Sequence, residues 1–166
     1  PLFPIDLLRD HSFRFSVIAS ICCFGAQMLS FVALPFYLQH GLGQDVGATG
    51  FYMMLWPLTV AVAAPLAGHL ANRVATGHLC AFGGASRAVA LVLAAVLPLE
   101  RQLWPLVICT VLAGLGFGFF QTPNNRNMLL SAPKARSGAA GGMLGTARLT
   151  GQTAGAVVIA LLFKLL

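Results

Sequence analysis

Leu103-Trp104-Pro105-Leu106-Val107-Ile108-Cys109-Thr110-Val111-Leu112-Ala113-Gly114-Leu115-Gly116-Phe117-Gly118-Phe119-Phe120-Gln121-Thr122 is an uninterrupted run without one Asp, Glu, Lys, Arg or His. A helix rising 1.5 Å per residue needs about 20 residues to cross roughly 30 Å of bilayer hydrocarbon. A strand reading fails, because barrel strands alternate apolar and polar residues over about ten positions, whereas this run is continuous and longer. Pro105 suits the first turn of a helix, where its missing N–H is no loss, and the indole of Trp104 suits the headgroup belt.

The same texture recurs along the chain. Five membrane helices are predicted, over about Phe15 to Leu38, Gly47 to Ala71, His78 to Leu97, Leu103 to Thr122 and Ala139 to Phe163. Of 166 residues, 58% are hydrophobic and 8% charged, and the mean hydropathy is +0.84; soluble domains carry roughly 25% charged residues. The charges collect between the apolar runs, at Asp6 to Arg14, Asp45, Arg73, Glu100 with Arg101, and Arg126 to Arg136. The fold class is therefore an all-α membrane protein, with residues 1–14 as a cytoplasmic linker or pre-helix segment and residues 15–166 as the transmembrane part.

A net charge of +6 raises the question of nucleic acid. That partner needs a basic face on a soluble surface, and none is available, so no nucleic acid is expected. The basic residues flank apolar runs instead, as cytoplasmic loops have them. With the first span entering from the cytoplasm, that side holds Arg9, Arg14, Arg73, Arg126, Lys134 and Arg136, and the other holds Arg101 and Lys164. The expected location is the cell (inner) membrane, with a cytoplasmic N-terminus and the lipid bilayer as a partner.

Cys22, Cys23, Cys80 and Cys109 lie inside apolar runs and read as small buried hydrophobes. His11, His40, His69 and His78 lie near span ends without ligand spacing, so no metal or cofactor is expected. No constellation for membrane enzymology occurs either. The alternating Gly114, Gly116 and Gly118 follow no strand, and close helix packing accounts for them better than nucleotide binding. Pro57 and Pro65 remove backbone hydrogen bonds within the second span and should bend or loosen it.

Two polar stripes stand out. In the first span Ser16, Ser20, Cys23, Gln27 and Ser30 recur at helical spacing, with Phe31 beside them. They form either a cavity wall or a set of helix-to-helix hydrogen bonds. In the last span Gly141, Gly145, Arg148, Gln152, Gly155 and Ile159 share a face, which should pack against a neighbour while holding a guanidinium. Arg87 lies deep in the third span, and a central arginine costs about 2.5 to 3.5 kcal/mol on insertion scales. Asp6, Asp10, Asp45 and Glu100 all lie outside the spans. Arg87 and Arg148 are thus left with backbone carbonyls and water, an acid on other helices, or an anionic substrate group.

Gly68-His69-Leu70-Ala71-Asn72-Arg73 resembles the cytoplasmic loop motif of the major facilitator superfamily, Gly-x-Leu-Ala-Asp-Arg, with Asn72 where that family favours aspartate. The stretches Pro4-Ile5-Asp6-Leu7-Leu8, Pro35-Phe36-Tyr37-Leu38-Gln39, Leu55-Trp56-Pro57, Gln121-Thr122-Pro123-Asn124-Asn125 and Ala147-Arg148-Leu149-Thr150-Gly151-Gln152 are similar to the fourteen-span drug:proton antiporters of the EmrB/QacA type. The resemblance implies five helices of a C-terminal six-helix half, the sixth lying beyond this chain. The odd number of spans and an opening Pro1 without a methionine agree with that expectation.

It further implies alternating access driven by a proton gradient, with the proton-carrying acids in the N-terminal half as a partner of this one. Proton-coupled efflux of amphipathic drugs or other small molecules is the expected function. Candidate substrate contacts are Gln27, Phe31, Arg87, Arg148 and Gln152, and gating falls to Gly68, Asn72 and Arg73. Pro57, Pro65, Pro123 and Gly145 are candidate helix-break or packing positions. Two alternatives stay open: transport of small organic anions through Arg87 and Arg148, and a non-transporting membrane scaffold.

Overall fold

The computed structural model describes residues 5–98 and 102–165. Pro1, Pro4, Glu100 and Arg101, which entered the reading above, lie outside the described residues. Five long helices follow one another: α1 (His11–Phe36), α2 (Val46–Leu70), α3 (Thr76–Val96), α4 (Trp104–Ser131) and α5 (Ser137–Leu165). Short 3-10 helices occupy Ile5–Arg9 and Lys134–Arg136, and a π turn covers Tyr37–Gly41. All five long helices are long and apolar enough to cross a membrane. Among the described residues there is no strand. In hydrocarbon every backbone N–H and C=O must find a partner inside the protein, which an α-helix supplies within its own segment.

Acidic residues mark two helix starts. Asp10 accepts a hydrogen bond from the Phe13 amide at 2.9 Å, and Asp45 accepts one from the Ala48 amide at 3.0 Å. Each carboxylate meets the orphan donors and the positive end of a helix dipole. Gly43, with φ of 62°, provides the left-handed turn between α1 and α2.

The structure departs from the sequence reading in four places. The segment before the first span forms the 3-10 helix Ile5–Arg9 with Leu7 buried, and α1 starts at His11 rather than near Phe15. Second, α4 runs past Thr122 to Ser131, with Pro123 inside it. Pro123 therefore does not break the helix, and Asn124 and Asn127 after it, polar enough to suggest a loop, are bonded to α1. Third, α2 is continuous through Pro57 and Pro65, which remove ladder bonds without ending it. Fourth, the packed face of α5 is Ala140, Met143, Ala147, Gly151, Gly155 and Ile159. A Cβ at Gly141 or Gly145 would meet nothing within 4 Å, so Gly145 packs closely against no helix among the described residues. Gly155 and Ile159 lie on both the expected and the observed face, whereas the first four members of the expected stripe, Gly141 to Gln152, are turned by about one residue, roughly 100° about the axis of a 3.6-residue helix.

The chain divides into two compact units. The first comprises Pro1–Leu34 with Asn124–Leu166, and the second Pro35–Pro123. In the first, Leu7, Phe13 and Val17 meet Met128, Ala132, Ala140, Met143 and Ala147 in one apolar core. Farther along, α1 and α5 touch backbone to backbone. A Cβ at Gly155 would lie 2.5 Å from the Gly25 carbonyl oxygen, and one at Gly151 would collide with that of Ile21. In the second unit α4 is the central helix. Gly114 and Gly118, four residues apart, abut Thr59 and Ala63 of α2, while Gly116, on the opposite side, abuts Gly83 and Arg87 of α3. The alternation of these glycines is thus a two-sided packing device.

Elsewhere large apolar side chains point outward, among them Phe51, Met54, Leu58 and Val62 on α2, Val89, Val92 and Val96 on α3, and Val157, Val158 and Leu161 on α5. Such a surface suits lipid tails or further helices.

Candidate functional site

In the second unit, Arg87 is 6% exposed on α3. Its guanidinium lies over the Phe117 ring of α4, 5.4 Å from the centroid, and Trp56 of α2 packs on the same ring at 5.0 Å. Gly83 and Gly116 make this arrangement, because their missing side chains let α3 and α4 approach until each would contact the other's backbone. A cation over an aromatic face in a desolvated place gains about 2 kcal/mol, a substantial part of its insertion cost. No acidic residue lies within α1 to α5.

In the first unit the serine stripe of α1 divides. Ser16 and Ser20 are buried and bonded to α4: the Asn124 Nδ2 donates to the Ser20 hydroxyl at 2.8 Å and to the Ser16 carbonyl at 3.3 Å. Asn127 Nδ2 donates to Ser12 and Ser16 hydroxyls at 2.9 Å each. For this half of the stripe, helix-to-helix bonding is the answer. Ser30 turns back onto its own helix, donating to the Ala26 carbonyl at 2.8 Å. Gln27 differs: its Oε1 is buried and accepts no hydrogen bond among the described residues. Phe31, one turn on, is half-buried.

On α5, Arg148 is exposed and its guanidinium lies over Phe24 of α1, 5.5 Å from the ring centroid. Gln152, one turn later, is half-buried. Gln27, Phe31, Arg148 and Gln152 therefore belong to the α1 and α5 part of the first unit, and Arg87 to the second. In the loop motif, Gly68 is the third-last residue of α2 and faces Thr122 of α4. Asn72 and Arg73 are exposed in the following turn, closed by bonds from the Arg73 and Val74 amides to the Leu70 carbonyl.

Asn124, Asn127, Phe24 and Phe117 were not singled out from the sequence. A signal existed for the asparagines: they sit three residues apart, the helical spacing that the serines of α1 also keep. For the two phenylalanines nothing marks them among twelve. Among the described residues, no group of three or more His, Cys, Asp or Glu side chains is gathered as a metal would need.

A family model described as Major Facilitator Superfamily matches residues 6–166. Among curated proteins, "Uncharacterized transporter YebQ" of Escherichia coli (strain K12) is 48% identical, covering 99% of this chain and 36% of that protein. "Riboflavin transporter RibZ" of Clostridioides difficile (strain 630) is 30% identical over 87% of this chain and 32% of its own length. "Multidrug resistance protein Stp" of Mycobacterium tuberculosis (strain CDC 1551 / Oshkosh) is 26% identical over 96% of this chain and 29% of its own. The chain thus spans between 29% and 36% of the length of these relatives. No solved structure matches significantly. Five membrane-crossing helices, glycine-built interhelical contacts and a family match across nearly the whole chain together mean that it is a multi-pass membrane protein belonging to the major facilitator superfamily of transporters.

Proposed function

We propose that this chain belongs to the C-terminal half of a proton-coupled exporter of amphipathic small molecules, of the fourteen-span EmrB/QacA type, working by alternating access with its first helix entering from the cytoplasm. The observation that carries the reading is the chemistry of the α1 and α5 part of the first unit. An open amide oxygen (Gln27), half-buried Phe31 and Arg148, already seated on Phe24, suit planar or amphipathic compounds better than strongly ionised ones. A multidrug-resistance relative and a riboflavin-transporter relative, each matched over most of the chain, support the same substrate class. Because α1 to α5 carry no acid, the protonation sites of this reading lie on helices outside this chain, as the resemblance places them in the other half. Gly68, Asn72 and Arg73 form the loop on which the two halves gate.

The test uses the full-length protein carrying this chain, reconstituted in proteoliposomes with an imposed pH gradient and loaded with an amphipathic fluorescent cation. Efflux that collapses with the gradient, and that Gln27→Ala slows, is the expected result. Efflux indifferent to the gradient would overturn the coupling, and no efflux of any amphipathic compound would overturn the substrate class.

A second reading, transport of small organic anions, is favoured by one observation: the Arg148 side chain is exposed. Arg148→Gln and Arg87→Gln separate the two. Selective loss of anion flux from Arg148→Gln supports the anion reading, whereas loss of folded protein from Arg87→Gln matches a structural cation.

A further inference from the structure

Five cations gather at one end of the first unit. Arg9 closes the 3-10 helix Ile5–Arg9, Arg14 lies in the first turn of α1, Arg126 lies near the end of α4, and Lys134 and Arg136 lie in the turn ahead of α5. Two links bring these elements together: Arg136 reaches Asp6 at 3.4 Å, and Asn127 donates to Ser12 at 2.9 Å. Beneath them Leu7, Phe13, Met128, Ala132 and Ala140 share a core. Among the described residues at this end, the Asp6 carboxylate is paired with Arg136 and that of Asp10 accepts from the Phe13 amide. Arg9, Arg14, Arg126 and Lys134 are exposed.

Apolar side chains are interleaved with these cations. Ile5 is 67% exposed, Phe15 63% and Leu130 71%, and the Arg14 guanidinium lies 5.9 Å from the Phe15 ring centroid. Exposed apolar groups of this size gain nothing from a soluble anion. They do gain from an amphiphile, whose phosphate meets the cations while its upper acyl carbons meet the apolar groups.

We infer that this end of the unit binds the headgroups of anionic phospholipids in the adjoining leaflet. The recognised chemistry is a phosphate diester bearing net negative charge. Arg9, Arg14, Arg126 and Lys134 supply the charge, and Ile5, Phe15 and Leu130 supply the acyl contact. The Asp6 to Arg136 pair holds the 3-10 helix so that Arg9 stands beside the others.

The experiment titrates the full-length protein carrying this chain in detergent micelles with phosphatidylglycerol or with phosphatidylcholine of the same acyl chains, and counts retained lipid by native mass spectrometry. Phosphatidylglycerol is retained preferentially, and the preference falls as salt is raised, since screening acts within about 10 Å at 0.1 M ionic strength. Each of R9Q, R14Q, R126Q and K134Q lowers the preference by roughly fivefold at low salt, and the combined variant abolishes it. K164Q, which removes an exposed cation at the opposite end of α5, leaves it intact. Equal retention of the two lipids by the unsubstituted chain overturns the proposal without reference to any variant. So does displacement of phosphatidylglycerol by inorganic phosphate where sodium chloride of the same ionic strength leaves it bound, which would assign the cations to a soluble anion, and so does undiminished preference in the combined variant.

Discussion

Replacing Gly155 by alanine should damage this protein, whereas the same replacement at Gly145 should not. A methyl group at Gly155 would stand 2.5 Å from the carbonyl oxygen of Gly25 and 3.0 Å from the Cβ of Met28. The oxygen belongs to the α1 backbone and cannot rotate aside. Restoring ordinary contact needs α1 and α5 to part by roughly 1 Å, and overpacking of this kind costs about 1–3 kcal/mol. At Gly145 the added methyl meets nothing within 4 Å, so the change should stay within about 0.5 kcal/mol of neutral. Titration with SDS, followed by circular dichroism and by loss of the monomeric peak in size exclusion, measures both. The midpoint should fall for Gly155→Ala and for Gly151→Ala, and hold for Gly145→Ala. A Gly155→Ala protein as stable as the Gly145→Ala protein would refute the α1 to α5 packing described above. The second unit supplies an independent pair: Gly116→Ala would place its methyl 2.6 Å from the Gly83 carbonyl oxygen and should destabilise, while Gly84→Ala, with nothing within 4 Å, should not.

Three further outcomes are expected. Asn124→Ala should cost about 0.6 to 1.5 kcal/mol, because it removes a buried bond to Ser20, and Asn127→Ala should cost less, because Asn127 is only half-buried and one of its two partners, Ser12, is exposed; the same titration ranks them, and the reverse order would contradict the geometry. Phe117→Ala should cost about 3 kcal/mol or more, since it empties the space beneath both Arg87 and Trp56, and an unchanged midpoint would show that this ring does not hold α2, α3 and α4. The 166-residue chain alone, without an acid in any of its long helices, should show no proton-driven efflux in proteoliposomes; measurable efflux by it would show that the coupling acids are not needed from elsewhere.

Much of this architecture was legible from residue order alone, for uneven reasons. The five apolar runs announce themselves, and the prediction of close helix packing at Gly114, Gly116 and Gly118 follows from small residues inside such a run. The end of α4 was not legible, because Pro123 and two following asparagines look like a loop until Ser12, Ser16 and Ser20 are known to face them. The stripe on α1 was visible, but its division into bonded serines and an unbonded Gln27 oxygen depends on which neighbour each residue meets. Arg87 and Arg148 looked equivalent as membrane arginines; one is buried on Phe117 between helices and the other is exposed over Phe24.

The sequence by itself determined membrane residence, helical state and the number of spans. Hydrocarbon supplies no hydrogen-bond partner, so an apolar run of this length must satisfy its backbone locally. Only the tertiary structure decided how each helix is turned about its axis. In water an apolar face sets that rotation, but lipid is as apolar as a helix interface, so hydrophobicity ranks no face above another. The choice then rests on a few close contacts and polar pairs, Gly151 and Gly155 against α1 and Asn124 against Ser20, which exist only when both helices are in place.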